Sequence, residues 1–167
     1  MAECCSSTAC FPDALAYTLA QLSLSHISVK DEQRSAIRAI YKGRDLFVCL
    51  PMGYGKSLCY QTLPFVMDFK SNCNKCTVVV VSPLFSLMED QVCVLKKKGV
   101  KASIMTSSRT VRKENVTTDE GLVKDRLFFC APEALVMLKW RDAFEQSGFS
   151  DRIVAVVVDE AHCVSKW

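Results

Sequence analysis

Two short stretches, far apart in the chain, carry residue types that could work together on a phosphate ester. Residues 51–57 read PMGYGKS: two glycines, a lysine and a hydroxyl. Glycines let backbone N–H groups close around phosphate oxygens. A lysine can reach the β and γ phosphates, and a serine hydroxyl can ligate Mg²⁺. The cradle is therefore expected from Met52, Gly53, Tyr54, Gly55, Lys56 and Ser57. The full GxxxxGK[ST] spacing is met only in part, because Leu50 stands at its first glycine.

The second stretch is Asp159-Glu160-Ala161-His162. Phosphoryl transfer to water needs a metal on the phosphate oxygens and a group that positions and deprotonates the attacking water. Asp159 suits the metal and Glu160 the base. An acidic strand end that merely caps a helix is the plain alternative for this pair taken alone, as a ligand-free glycine cluster is for the loop. Upstream, Gln33 carries a carboxamide that both donates and accepts, so it could pair with the N6 and N7 edge of adenine; a solvent-facing helical glutamine is the alternative.

These groups need a scaffold. The apolar run 46–50 precedes the loop, and helical spacing through Leu58, Tyr60, Leu63 and Val66 follows it, giving strand, tight turn, helix. The pattern recurs at 77–81 and then Leu84, Leu87, Met88, Val92 and Leu95. Weaker strands are expected at 101–106 and 127–130, with a polar helix or loop at 107–124 between them. A last, buried strand at 153–158 delivers Asp159 and Glu160 to its carboxyl end, where open α/β sheets place their ligands. Short apolar strands alternating with helices predict an α/β fold, a parallel sheet flanked by helices on both faces. Helices are also expected from Pro12 through Leu22 and over 30–41, the latter stopped by Gly43. Residues 1–29 read as an N-terminal tail and helix, and 30–167 as one domain.

Composition excludes several classes. With 167 residues, 50% hydrophobic and 23% charged, the chain is globular in type. Its net charge of +3 is too mild to announce a nucleic-acid partner on its own. No apolar stretch is long enough for a bilayer, so no membrane partner is expected. Ten cysteines scatter through apolar segments and read as reduced, core-packed thiols of an intracellular, reducing compartment. Cys73 and Cys76 form a lone CxxC with no second pair or spaced histidines to complete a zinc site. Lys96, Lys97, Lys98 and Lys101 read as a solvated helix end more readily than as a DNA contact.

Four segments taken in order resemble one family. Residues 56–61 read KSLCYQ, 80–91 VVSPLFSLMEDQ, 129–135 FCAPEAL and 159–167 DEAHCVSKW. They are similar to successive motifs of the RecQ family of superfamily 2 DNA helicases, over residues 30–167, and imply a RecA-like phosphate-loop motor lobe. The resemblance implies ATP and Mg²⁺ as cofactors. Gln33 and Lys30 then belong to an adenine-reading motif, with Lys30 where an arginine is usual and Val29 where an aromatic is usual.

By the same resemblance Lys56 and Ser57 take phosphate and Mg²⁺, Asp159 the metal and Glu160 the base role, while His162 couples the ATP site to movement. Ser82, Pro83, Leu84, Pro132 and Glu133 would border a single-strand track, and Trp167 would begin an aromatic loop that reports DNA binding. Met52 replaces a usual threonine and Tyr54 a usual glycine or alanine, which implies weakened but retained nucleotide affinity. The implied activity is 3′ to 5′ unwinding of DNA in the nucleus, in repair or recombination. It would require a second RecA-like lobe beyond Trp167, without which the 167 residues are expected to be marginally stable and to aggregate. Another superfamily 2 motor acting on RNA, and a non-catalytic ATP-binding fragment, stay open as alternatives.

Overall fold

In a computed structural model, residues 10–105, 125–135 and 149–162 are described. The expected segment 107–124 and Trp167 lie outside them. The chain divides into two compact units, Met1–Asn74 and Lys75–Trp167.

The first unit is helical. Helix α1 (Phe11–Gln21) carries Pro12 in its first turn, one residue after its start; proline there forfeits only an N–H that has no helical partner. Helix α2 (Asp31–Tyr41) buries Gln33, Ala36 and Ile37 on one face. Its end is marked by Gly43, whose φ of +77° lets the chain turn away. After the glycine loop come α3 (Lys56–Gln61) and α4 (Leu63–Ser71), joined by Thr62 with helical dihedrals. Pro64 has no N–H to continue the ladder, which accounts for one predicted helix appearing as two. Ala14, Leu15, Val29, Ile37 and Val66 form the core, with Phe11, Tyr41 and Phe69 packed against it.

One expectation fails here. Residues 46–50 form no strand; Leu46 is 44% and Phe47 80% exposed. An apolar run supplies a surface that suits a sheet, but a strand exists only by pairing, and no strand among the described residues pairs with this run.

The second unit carries a parallel sheet with flanking helices. Its elements are β1 (Thr77–Val81), α5 (Phe85–Lys97), β2 (Ala102–Met105), β3 (Leu127–Cys130), the short α6 (Pro132–Leu135) and β4 (Ile153–Val158). The strand order is β2-β3-β1-β4, every pairing parallel. Central β1, TVVVV, is buried throughout, as a strand covered on both faces must be. Phe128 and Phe149 meet edge to face, centroids 4.9 Å apart, in a core with Val79, Val81 and Met105.

Strand β4 corrects a second expectation. Among the described residues it pairs with β1 alone, and Val156 and Val158 are 62% and 43% exposed. The apolar run predicts burial, but a position at the sheet edge leaves alternate residues open. The cysteines also divide: Cys59, Cys76 and Cys130 are buried as expected, whereas Cys10, Cys49 and Cys93 are exposed. No helix among the described residues is long and apolar enough to cross a membrane.

Candidate nucleotide site

The loop between residue 50 and α3 has the backbone that its glycines predict. Gly53 and Gly55 have φ of +74° and +85°, a region that side-chain-bearing residues resist. Gly55 is the N-cap of α3, so Lys56 and Ser57 open the helix and their backbone N–H groups have no partner within it. The Lys56 ammonium donates to the Leu50 carbonyl at 3.2 Å, reaching back across the whole loop. Nothing stands within 4 Å of where a Gly53 Cβ would lie, and Met52 is 97% exposed, so the loop's crest is open. An open backbone arch with an ammonium and a hydroxyl at its helical end fits a triphosphate, and a hard oxygen donor such as Ser57 fits Mg²⁺.

The loop is tied to α2. Gln33, buried at the first turn of α2, donates through Nε2 to the carbonyls of Tyr54 at 2.8 Å and Gly55 at 3.2 Å. Its Oε1 accepts the Lys30 backbone N–H at 3.0 Å. The Tyr54 hydroxyl donates to Glu32, and the Lys30 ammonium sits 3.7 Å from the Tyr54 ring centroid. The hydrogen bond from Tyr54 is the chief cause that holds the Glu32 carboxyl below its ordinary value, and the same bond raises the phenol. Glu32 is a loop partner that sequence reasoning missed, since an acid in a helix's first turn is ordinary without the loop beside it.

The acidic pair closes β4. The Asp159 N–H donates to the Val81 carbonyl at 2.8 Å, extending the β1–β4 ladder by one rung. Asp159 Oδ1 accepts the Glu160 N–H at 3.1 Å, and Glu160 itself has φ of +52°. Such a conformation is uncommon for a residue with a Cβ and is concentrated at functional sites. His162 Nδ1 lies 3.2 Å from Glu160 Oε2. The carboxylates thus stand at the carboxyl end of a parallel sheet, as predicted.

The polynucleotide candidates spread along that end of the second unit. Ser82 is buried with its hydroxyl unpartnered, Pro83 is half-buried, Leu84 is exposed, and Pro132 and Glu133 begin α6. Lys96 and Lys97 end α5 and Lys98 caps it, the placement that a helix dipole favours for cations.

The DEAD/DEAH box helicase family matches residues 30–167, a span that takes in the loop, both sheet edges and the acidic strand end. The chain belongs to the DEAD/DEAH box helicase family. Its similar proteins include the ATP-dependent helicase SGS1 of Saccharomyces cerevisiae, 39% identical over 83% of this chain and 10% of that one. The probable ATP-dependent DNA helicase RecS of Bacillus subtilis is 37% identical over 84% of this chain and 26% of that one. For the ATP-dependent DNA helicase RecQ of Haemophilus influenzae the figures are 32%, 84% and 21%. The chain thus spans a quarter or less of most of these helicases. Among solved structures, the helicase MrfA, bound to DNA and AMPPNP, superposes with a TM-score of 0.66 at 16% identity, over 90% of this chain and 21% of that one. That likeness supports the RecA-like α/β fold.

Proposed function

We propose that the chain is the ATP-binding part of the first motor lobe of a RecQ-like, ATP-dependent 3′ to 5′ DNA helicase. The observation that carries this reading is the glycine loop: a left-handed Gly55 opening α3, with Lys56 and Ser57 as its first residues, inside the span matched by the helicase family.

In this reading the loop's backbone N–H groups and the Lys56 ammonium hold the β and γ phosphates of ATP. Ser57 and Asp159 are the residues for Mg²⁺, which supplies neutralising charge at the phosphate oxygens when bound. Glu160 orients the attacking water and accepts its proton. The His162 imidazole, in contact with the Glu160 carboxylate, biases when that carboxylate is free to do so. Ser82, Pro83, Leu84, Pro132, Glu133 and Trp167 border the DNA strand, chiefly through phosphates. Stepping along the strand needs a second RecA-like lobe, and a nuclear role in repair or recombination rests on the resemblance alone.

The test is ATP hydrolysis by the full chain with no polynucleotide, with single-stranded DNA and with single-stranded RNA. DNA-stimulated turnover is expected, lowered roughly 10²- to 10⁴-fold by Glu160→Gln, as loss of a general base does. Stimulation by RNA alone would move the assignment to an RNA motor. Turnover unchanged in Glu160→Gln would remove the assigned base.

A further inference from the structure

The residue between the two loop glycines carries the bulkiest side chain of the loop, and its ring is held in place. The Tyr54 hydroxyl donates to Glu32, and the Lys30 ammonium sits 3.7 Å from the ring centroid. Both partners belong to the start of α2, so the ring lies along the turn that carries Gln33. Gln33 is itself joined to the loop, its Nε2 donating to the Tyr54 carbonyl at 2.8 Å. Tyr54 is only half-buried. With its hydroxyl and one face engaged, it still leaves apolar ring surface in water.

A nucleotide held by its phosphates at this loop must place its base close by, and a base offers two kinds of surface. Its edge is read by hydrogen bonds, which suit a carboxamide such as Gln33. Its flat face is read by stacking, which suits an aromatic ring. Val29 offers no such face: it is 5% exposed and packs in the core with Ala14, Leu15, Ile37 and Val66. Phe11 and Tyr41, and Tyr17 and Phe69, spend their rings on one another. Tyr54 is the ring whose contacts join it both to the loop and to the first turn of α2.

We propose that Tyr54 stacks on the base of the bound nucleotide, its ring set in place by Glu32 and Lys30, while Gln33 serves the base edge. The proposal rests on the reading of the loop as a triphosphate site. It reverses the sign that the resemblance implies for Tyr54: the bulky side chain in place of glycine or alanine strengthens nucleotide binding here. A ring already ordered by two contacts loses little rotamer freedom when a base covers it, so most of the stacking gain appears as affinity.

The experiment is calorimetric titration of the full chain and of its Tyr54→Leu and Tyr54→Trp variants with ATP and with inorganic tripolyphosphate, each protein checked by thermal melting. Removing an aromatic from a stacked base costs roughly fivefold to 150-fold in affinity. Tyr54→Leu is therefore expected to weaken ATP by about fivefold or more and tripolyphosphate by less than about twofold. In Tyr54→Trp, ATP and not tripolyphosphate should quench the added indole emission, and this readout decides alone should the leucine variant not fold. Equal weakening of both ligands by Tyr54→Leu would make the ring a strut of the loop and overturn the proposal. So would ATP binding that is unchanged or tighter in that variant, or an indole indifferent to ATP. Failure of the folded parent to bind tripolyphosphate or ATP at all would instead overturn the triphosphate reading of the loop, and this proposal with it.

Discussion

The Tyr54 hydroxyl donates to the Glu32 carboxylate at 2.5 Å, joining the crest of the glycine loop to the first turn of the helix before it. Both groups are solvent-facing, so the bond acts as a tether on loop position more than as a source of global stability.

The tether has a defined pH window. Glu32 is lowered from its ordinary 4.5, chiefly by this bond, so its contribution is present above that value and fades as pH falls through the lower folded one. Tyr54 is raised from its ordinary 10.0, again chiefly by this bond, so its contribution is complete below that value and fades as pH rises through the higher folded one. In Tyr54→Phe, carbon-detected NMR titration should find the Glu32 carboxyl moved back up towards its ordinary value. An unmoved Glu32 would mean that the phenol does not hold it.

The two loop glycines should respond differently to alanine. Both pay for a left-handed residue, roughly 1–2 kcal/mol by denaturant unfolding. At Gly53 the new methyl meets open space, whereas at Gly55 it meets Gln33 Nε2 at 2.6 Å. Gly55→Ala is therefore expected to be the more destabilising, and to release the Gln33 amide as seen by its side-chain NH₂ resonances. Equal costs at the two positions would show that the close approach carries no weight.

The thiols should sort by burial. Burial pushes Cys130 up to about 12 and raises Cys59 as well, so neither forms thiolate near neutrality. With a maleimide at pH 7.5, mass spectrometry should find Cys10, Cys49 and Cys93 modified first and Cys59 and Cys130 protected in the native chain. Early labelling of Cys130 would contradict its place in the sheet core.

Much of this was readable in the residues, and the exceptions share a cause. Strands β1 and β3 and helices α1, α2 and α5 follow from period, proline and glycine, all local signals. The failed strand at 46–50 and the half-open β4 depend on which neighbours a strand acquires, and an apolar run carries no record of that. The candidate site divides likewise. The loop and the acidic pair announce themselves by spacing, whereas the Glu32–Tyr54 bond and the commitment of Gln33 to loop carbonyls are tertiary facts. No periodicity encodes them.

The edge of β4 offers a further check. Val156 is an apolar side chain at an exposed edge, the kind of position that natural sheets protect with charge. Val156→Lys is expected to change unfolding stability by less than about 0.5 kcal/mol, as exposed substitutions usually do. It should also delay aggregation in light scattering of the 167-residue chain. Unaltered aggregation would place the sticky surface elsewhere.

Glu160 sits in a conformation that glycine would adopt without resistance, at about 1–2 kcal/mol less cost. Fold and chemistry therefore pull in opposite directions at this one position: the substitution that relaxes the backbone removes the carboxylate. A screen that selects only for thermal robustness would drift towards glycine or asparagine there and discard the proposed base, and retention of an acid through such a screen would be a sign that catalysis, not folding, chose the residue.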